Sequence, residues 1–268
     1  MGGFLMKKAV VFGAYQFLGF HICGALLEEG EEIIGVSFPH INIADIEDKR
    51  MEIGRNANFS EISWDQLGSI LQDASIDHLF FDLYTIESLQ SLYRTMKRHI
   101  FDCSDKELLF NKKLVFLVNI MAIEKERELL SSIRDDLGGY MIQMIHMPTL
   151  YGPWQPRDFL FQQLVEGNEK DAVRIGLREY PTDAIYIEDA VSEVVKQTNK
   201  GQNKDILLKS NVINHWQRCL EHLKWNVPKS VHKDIENLKG LEEIIVINKR
   251  SISENLDKQK KHHLLYRI

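Results

Sequence analysis

Short apolar runs alternate with amphipathic stretches along most of the chain. Residues 10–13 form an apolar run that ends in glycine, and residues 17–29 then place apolar side chains at helical spacing. Residues 33–38 form a second, continuous apolar run, which is typical of a strand buried on both faces of a sheet. This opening is therefore predicted to fold as a β-α-β unit.

The same alternation continues as far as residue 208. Further strands are predicted at residues 79–83, 114–120, 141–147, 183–187 and 206–208. Helices are predicted at residues 64–72, 86–101, 122–134, 157–167 and 188–196. Strands that alternate with helices favour a parallel sheet with crossover connections of one hand. The predicted fold class is α/β, a doubly wound, Rossmann-like parallel sheet with a reduced C-terminal cap.

The pattern of apolar and polar residues changes after this alternation of strands and helices ends. Residues 1–210 are predicted to form the nucleotide-binding domain, with residues 157–180 contributing to the cap. Residues 211–268 are expected to be a charged, helix-rich cap or tail, with one helix near residues 216–223. No Gly/Ser-rich linker separates the two parts, so we expect no independent second domain.

Composition narrows the classes of function. Of the 268 residues 44% are apolar and 27% charged, which is typical of a folded globular protein. The net charge of −6 lacks the positive field that nucleic-acid binding needs, so no nucleic-acid partner is expected. No run of 18 apolar residues and no secretory signal pattern occur, so we expect a cytoplasmic protein without a membrane span. The three cysteines lie far apart and predict no metal site.

A glycine-bounded loop joins the first predicted strand to the first predicted helix. Its sequence is Gly13-Ala14-Tyr15-Gln16-Phe17-Leu18-Gly19, at a place where backbone N–H groups and the helix dipole would meet a pyrophosphate. The spacing resembles the Gly-x-x-Gly-x-x-Gly loop of short-chain dehydrogenases/reductases, with Gln16 at the middle glycine. A side chain there either crowds the phosphates or donates its amide hydrogens to them. The alternative is a loop retained for packing.

Two later motifs extend the resemblance over residues 7–208. Thr149-Leu150-Tyr151-Gly152-Pro153 resembles an Asn-Val-Tyr-Gly-Pro turn, and residues 183–191 resemble an Asp-Phe-Ile-Tyr-Val-Asp-Asp-Val segment. Both belong to the extended short-chain dehydrogenases/reductases, the nucleotide-sugar epimerases and dehydratases. The resemblance implies NAD or NADP as cofactor and a nucleotide sugar or other small molecule as ligand, and it allows a homodimer. The cofactor-binding candidates it implies are Gly13, Ala14, Gln16, Phe17, Leu18, Gly19 and Ser37.

Some family positions that contact the cofactor differ in this chain. The second strand of NAD-dependent members usually ends in Asp, which binds the ribose hydroxyls, and Ser37 stands there instead. Ser37 removes the charge that repels a 2′-phosphate, but no Arg follows it, so the choice between NAD and NADP stays open. Leu83 and Tyr84 replace a pair of small alanines after the fourth strand, and their bulk is expected to fill part of the cofactor's space.

The family's proton-transfer pair is also missing from its usual place. Family members carry Tyr-x-x-x-Lys on the helix after the fifth strand, but no Tyr lies between Tyr93 and Tyr140. The match from Tyr93 to Lys97 precedes that strand, and we interpret it as helix surface. Asn119, Lys125 and His146 are the remaining catalytic candidates.

Three hypotheses follow from these departures. The first is a divergent NAD(P)-binding protein without the Tyr-Lys pair. The second is a non-catalytic regulatory or interaction protein on the same fold, and the third is an oxidoreductase that uses unorthodox residues such as His146 or Asn119. Fold alone does not choose among them, because function belongs to the site.

Overall fold

A computed structural model describes residues 7–39, 45–86, 88–102, 109–168, 172–201, 203–226 and 240–266. The β-strands are β1 Lys8–Phe12, β2 Glu32–Val36, β3 Phe59–Ile62, β4 Ile76–Asp82, β5 Lys113–Asn119, β6 Met141–Met147, β7 Thr149–Tyr151, β8 Ala184–Tyr186, β9 Ile206–Ser210 and β10 Glu242–Val246. The α-helices are α1 Phe17–Glu28, α2 Ile46–Ile53, α3 Leu67–Ile70, α4 Leu89–Met96, α5 Ala122–Lys125, α6 Arg127–Asp136, α7 Leu160–Val165, α8 Ile187–Thr198, α9 His215–His222 and α10 Ile252–Leu265. A 3₁₀ turn covers Trp64–Gln66, and a π-helical turn covers Lys97–Phe101. Among the described helices, none combines the length and apolarity needed to cross a bilayer.

Eight strands form a sheet in the order β10-β9-β6-β5-β4-β1-β2-β3, and β7 and β8 form a separate pair. The described strand pairs are parallel. The predicted α/β class with a parallel Rossmann-like sheet is therefore confirmed. The chain divides into two compact units, the first comprising residues 1–118, 126–144 and 195–204 and the second the remainder. The predicted division at residue 210 stays a prediction.

The first unit is built around β1, the most apolar strand of the chain's opening. β1 pairs with β2 on one side and with β4 on the other, so that Phe12 lies opposite both Val36 and Phe81. The rings of Phe12 and Phe81 stack with their centroids 4.6 Å apart. Because the three strands are parallel, their carboxyl ends meet at one edge, where ligands of such sheets bind.

The second unit contains both later family-like motifs. Thr149, Leu150 and Tyr151 form β7, which pairs with β8, and Gly152 follows with a φ of 141°. Residues 183–191 supply β8 and the first turn of α8. β9 pairs with Ile145 and His146 on one side and with β10 on the other. The two motifs thus lie on neighbouring strands.

The structure adds three strands that the sequence pattern did not predict, the short β7 and the strands β3 and β10. β3 and β10 each lie at an end of the strand order, and most of their side chains are exposed or half-buried. Edge strands of this kind lack the continuous apolar run of a buried strand. The predicted helix at residues 122–134 is divided between α5 and α6, and the one predicted at 157–167 is shorter, spanning only α7.

Candidate functional site

The β1–α1 loop makes a tight return from the sheet into the helix. Gly13 has a φ of 82°, a left-handed conformation that favours glycine, and its N–H donates to the Val36 carbonyl at 2.7 Å. The Gln16 N–H donates back to the Gly13 carbonyl at 2.8 Å. Gln16 has extended backbone angles, and α1 begins at the next residue. The loop therefore has the strand-turn-helix form that the sequence predicted.

The two outer glycines are required by the packing of the loop itself. A Cβ atom on Gly19 would lie 2.2 Å from the Gly13 carbonyl oxygen, far inside van der Waals contact. A Cβ atom on Gly13 would lie 2.7 Å from the ring of Phe38. These glycines thus satisfy internal contacts, and their presence alone does not demonstrate a nucleotide site.

Gln16 is the residue at the middle-glycine position. Only one of the two polar atoms of its side-chain amide forms a hydrogen bond within the described residues. Its Oε1 accepts a hydrogen bond from the Thr85 hydroxyl at 2.9 Å. Its Nε2 is buried and has no hydrogen-bond partner within the described residues. A buried amide donor without an acceptor is energetically costly, which makes this group a candidate donor to a bound ligand.

A buried carboxylate from β4 covers the start of α1. Asp82 accepts hydrogen bonds from the backbone N–H groups of Gly19 at 2.7 Å and Tyr84 at 3.0 Å. Burial raises the pKa of Asp82 to about 6, against the opposing effects of these N–H groups, the Leu18 N–H and the Lys49 ammonium. Part of the positive end of the helix is thus satisfied by the protein's own anion.

Ser37, Leu83 and Tyr84, at which the chain departs from the family pattern, all lie in the first unit. The Ser37 carbonyl accepts a hydrogen bond from the Trp64 indole at 2.7 Å. Leu83 is 2% exposed and Tyr84 is fully buried, so both large side chains belong to the interior of the first unit. That they fill part of the cofactor's space stays a prediction.

A charged cluster behind the loop was missed by the sequence analysis. The Arg50 guanidinium donates from Nε and Nη2 to Glu61, at 3.0 Å for each, and the Tyr15 hydroxyl donates to the same carboxylate at 2.9 Å. The buried Lys49 ammonium donates to the Tyr15 carbonyl at 3.0 Å, and burial lowers the pKa of Lys49 to about 8. These contacts anchor the loop to α2 and β3, and no local motif signals them.

Two of the catalytic candidates in the second unit bind main-chain carbonyls. The Asn119 amide donates to the Arg178 carbonyl at 2.9 Å and accepts from the Met121 N–H at 2.8 Å. The Lys125 ammonium donates to the Leu177 carbonyl at 3.1 Å. Both side chains thus hold residues 177 and 178 in place. The third candidate, His146, is buried in β6 opposite Leu207 of β9.

The literal Tyr-x-x-x-Lys match forms a cluster with α6 in the first unit. The Tyr93 hydroxyl and the Lys97 ammonium, the latter at 2.6 Å, both donate to the Asp136 carboxylate. Tyr93 is only 7% exposed, so its interpretation as helix surface is wrong for this residue. Burial and the Asp136 carboxylate raise the pKa of Tyr93, whereas proton transfer near neutral pH needs a lowered one.

No cluster of His, Cys, Asp and Glu able to hold a metal ion occurs among the described residues.

Comparison with known proteins gives matches in structure only. No family model matches the chain, and no curated protein sequence matches it. UDP-glucuronic acid 4-epimerase from Bacillus cereus in complex with NAD is 17% identical with a TM-score of 0.67, covering 97% of this chain and 97% of that one. The dTDP-glucose 4,6-dehydratase from Bacillus anthracis in complex with NAD is 12% identical with a TM-score of 0.69, again covering 97% of each chain. WbmH from Bordetella bronchiseptica in complex with NAD⁺ is 13% identical with a TM-score of 0.64, covering 98% of this chain and 100% of that one. The chain therefore has the fold of NAD-dependent nucleotide-sugar epimerases and dehydratases.

Proposed function

We propose that this chain binds NAD or NADP at the β1–α1 loop and is a divergent member of the nucleotide-sugar epimerases and dehydratases. The observation that carries the proposal is the buried Gln16 Nε2, which lacks an acceptor within the described residues. It stands at the turn into α1, and a helix N-terminus at this point of a dinucleotide-binding fold is suited to a pyrophosphate. Structural neighbours hold NAD, which supports the same cofactor class.

The residues of the loop fit such a cofactor. Gln16 would donate its amide to a phosphate oxygen, the backbone of Ala14, Phe17 and Leu18 would line the pyrophosphate, and Ser37 would receive the ribose. A bound nicotinamide would supply hydride transfer. Asp82 already accepts the Gly19 N–H, so this chain offers fewer free donors at α1 than an uncapped helix would. Binding is accordingly expected to be weak, above micromolar in Kd.

The proposal includes loss of the ordinary proton-transfer step. Asn119 and Lys125, which follow β5, donate to the carbonyls of residues 178 and 177. These side chains are occupied in holding the main chain, which supports a role in positioning rather than in chemistry. The Tyr93 hydroxyl is bound to Asp136, and its raised pKa disfavours the phenolate that would act as a base.

Two alternatives remain on the same fold. The occupied side chains of Asn119 and Lys125 also favour a regulatory or interaction protein that binds no substrate. An oxidoreductase with unorthodox residues would instead rely on His146, which is buried at the end of β6. We further propose a nucleotide sugar or related small molecule as ligand, a homodimer, a cytoplasmic location and no nucleic-acid partner.

Calorimetric titration of the full chain with NAD and with NADP tests cofactor binding. The unmodified chain is expected to bind at least one of them, and Gln16→Leu is expected to weaken binding about tenfold, because it removes a charge-assisted hydrogen bond at similar size. Gln72→Leu, an exposed glutamine on the same unit, serves as the matched control and should bind unchanged. Absence of binding by the unmodified chain, or equal binding by Gln16→Leu, would overturn the proposal.

A substrate panel tests the loss of ordinary catalysis. UDP-, GDP- and dTDP-sugars are incubated with the chain and NAD(H) or NADP(H), with His146→Ala alongside. Turnover is expected to stay below about 1 per second, the low end of typical enzymes. Faster turnover would reject a pseudoenzyme, and its loss in His146→Ala alone would establish the oxidoreductase alternative.

A further inference from the structure

A cleft of about 340 Å³ opens in the first unit beside the end of β2. It is lined by Pro39, Trp64, Arg94, Thr95, Arg98 and His99. Two of these six side chains are arginines and one is a histidine, and none is acidic. These residues come from three separate segments of the chain, so no local sequence motif connects them.

The two guanidinium groups of the cleft are available for a ligand. Arg94 lies on α4 and Arg98 lies one turn later in the π-helical turn, so both reach the same cleft. Both residues are exposed, and within the described residues neither guanidinium has a hydrogen bond or an ion pair. Arginine guanidinium groups bind the oxygen atoms of a phosphate monoester through charge-assisted hydrogen bonds.

Trp64 connects the cleft to the candidate cofactor site. Its indole N–H donates to the Ser37 carbonyl at 2.7 Å, and its ring lies 5.6 Å from the ring of Phe12, the last residue of β1. The Trp64 ring also lies 5.6 Å from the ring of His99. The cleft thus borders the end of β2, where a dinucleotide's adenosine ribose is received in this class of fold.

The side-chain charges near the end of β2 are compatible with a 2′-phosphate on the ribose of the cofactor. An acidic residue at this position selects NAD by repelling a 2′-phosphate, and Ser37 is neutral. The Glu61 carboxylate on neighbouring β3 is already paired with the Arg50 guanidinium at 3.0 Å. Its negative charge is therefore partly compensated, since the same guanidinium also contacts Glu47 at 2.6 Å.

We propose that the cleft binds the 2′-phosphate of NADP through Arg94 and Arg98, so that the chain selects NADP over NAD. This inference rests on the proposed function, because it assigns one end of the same cofactor. The preference for NADP over NAD then comes from the arginines of α4 and of the π-helical turn after it, and not from an arginine that follows β2.

Calorimetric titration with NADP, NAD, 2′,5′-ADP and inorganic phosphate tests the assignment. NADP is expected to bind at least about tenfold more tightly than NAD, since two charge-assisted contacts are added. The double variant Arg94→Gln with Arg98→Gln is expected to reduce that ratio to within about threefold while leaving NAD affinity unchanged. Arg55→Gln is the matched control, because Arg55 is exposed and precedes β3 at the opposite end of the strands.

The outcomes separate this inference from the proposed function. Binding of NAD as tight as that of NADP would overturn the inference and leave the proposed function standing, whereas binding of neither would overturn both. Retention of the NADP preference in the double variant would overturn the role of the two arginines. Inorganic phosphate that binds as tightly as 2′,5′-ADP would show a site for free phosphate and would also overturn the assignment. Unchanged melting temperatures of the variants confirm that their effects are on binding.

Discussion

The carboxylate of Asp82 accepts a hydrogen bond from the backbone N–H of Gly19 at 2.7 Å, although 63 residues separate the two in sequence. The contact joins the end of β4 to the first turn of α1. It is possible only because Gly19 has no side chain, since a Cβ atom there would collide with the Gly13 carbonyl at 2.2 Å. An internal anion and a glycine together shape the place where a pyrophosphate would bind.

Asp82→Asn is expected to change how stability depends on pH. Burial raises the folded-state pKa of Asp82 from 3.8 to about 6, so the folded chain binds this proton more readily than the unfolded chain. Ionisation of Asp82 therefore lowers the free energy of unfolding as pH rises from about 4 to about 6, by at most ~3 kcal/mol.

Urea denaturation of the unmodified chain and Asp82→Asn at several pH values measures this effect. The difference in unfolding free energy between them should shift in favour of the unmodified chain as pH falls from about 6 to about 4. Above about pH 7 the difference should be constant. Parallel pH profiles for the two proteins would contradict the expectation.

Gly19→Ala and Gly24→Ala are expected to have opposite effects on stability, although both glycines lie on α1. At Gly19 the new methyl group must displace backbone, which is expected to cost more than about 2 kcal/mol. At Gly24 a Cβ atom meets nothing within 4 Å, and alanine should stabilise the helix by about 0.5 to 1 kcal/mol. Chemical denaturation measures both, and equal effects would refute the close approach of Gly19 to Gly13.

Asn119→Ala is expected to release residues 177 and 178. The side chain is buried and makes two hydrogen bonds, and its loss leaves the buried Met121 N–H without its acceptor, at a cost of about 1 to 3 kcal/mol. Trypsin should then cleave after Arg178 faster. Lys125→Met, which removes an exposed contact to the adjacent carbonyl, should change stability by less than about 0.5 kcal/mol. If the two variants are cleaved alike, Asn119 does not hold this segment.

Tyr93→Phe is expected to reduce stability by about 1 to 2 kcal/mol without changing nucleotide binding. The substitution removes the hydrogen bond to the Asp136 carboxylate and keeps the buried ring. Tyr140→Phe is the control, because the Tyr140 hydroxyl makes no hydrogen bond with any residue that the structure describes. Denaturation gives the stability, and the melting shift caused by NADP gives the binding. A smaller shift in Tyr93→Phe would place Tyr93 at the cofactor site.

The alternation of apolar runs and amphipathic stretches was sufficient to predict the parallel sheet and the strand-turn-helix form of residues 10–29. Burial explains this success, because a strand covered on both faces must be continuously apolar and a helix packed on one face must repeat at helical spacing. The edge strands β3 and β10 escaped prediction for the same reason, since exposed side chains carry no such pattern.

Which polar groups meet was decided by the tertiary structure alone. Asp82 reaches Gly19, and Arg94 and Arg98 share a cleft with Pro39, because strand order and the close approach of α1 to β4 bring distant segments together. Periodicity reports the face on which a residue lies but not the partner across it. The sequence by itself thus determined the fold and the location of the loop, whereas the anion under α1 and the basic cleft beside β2 depend on long-range packing.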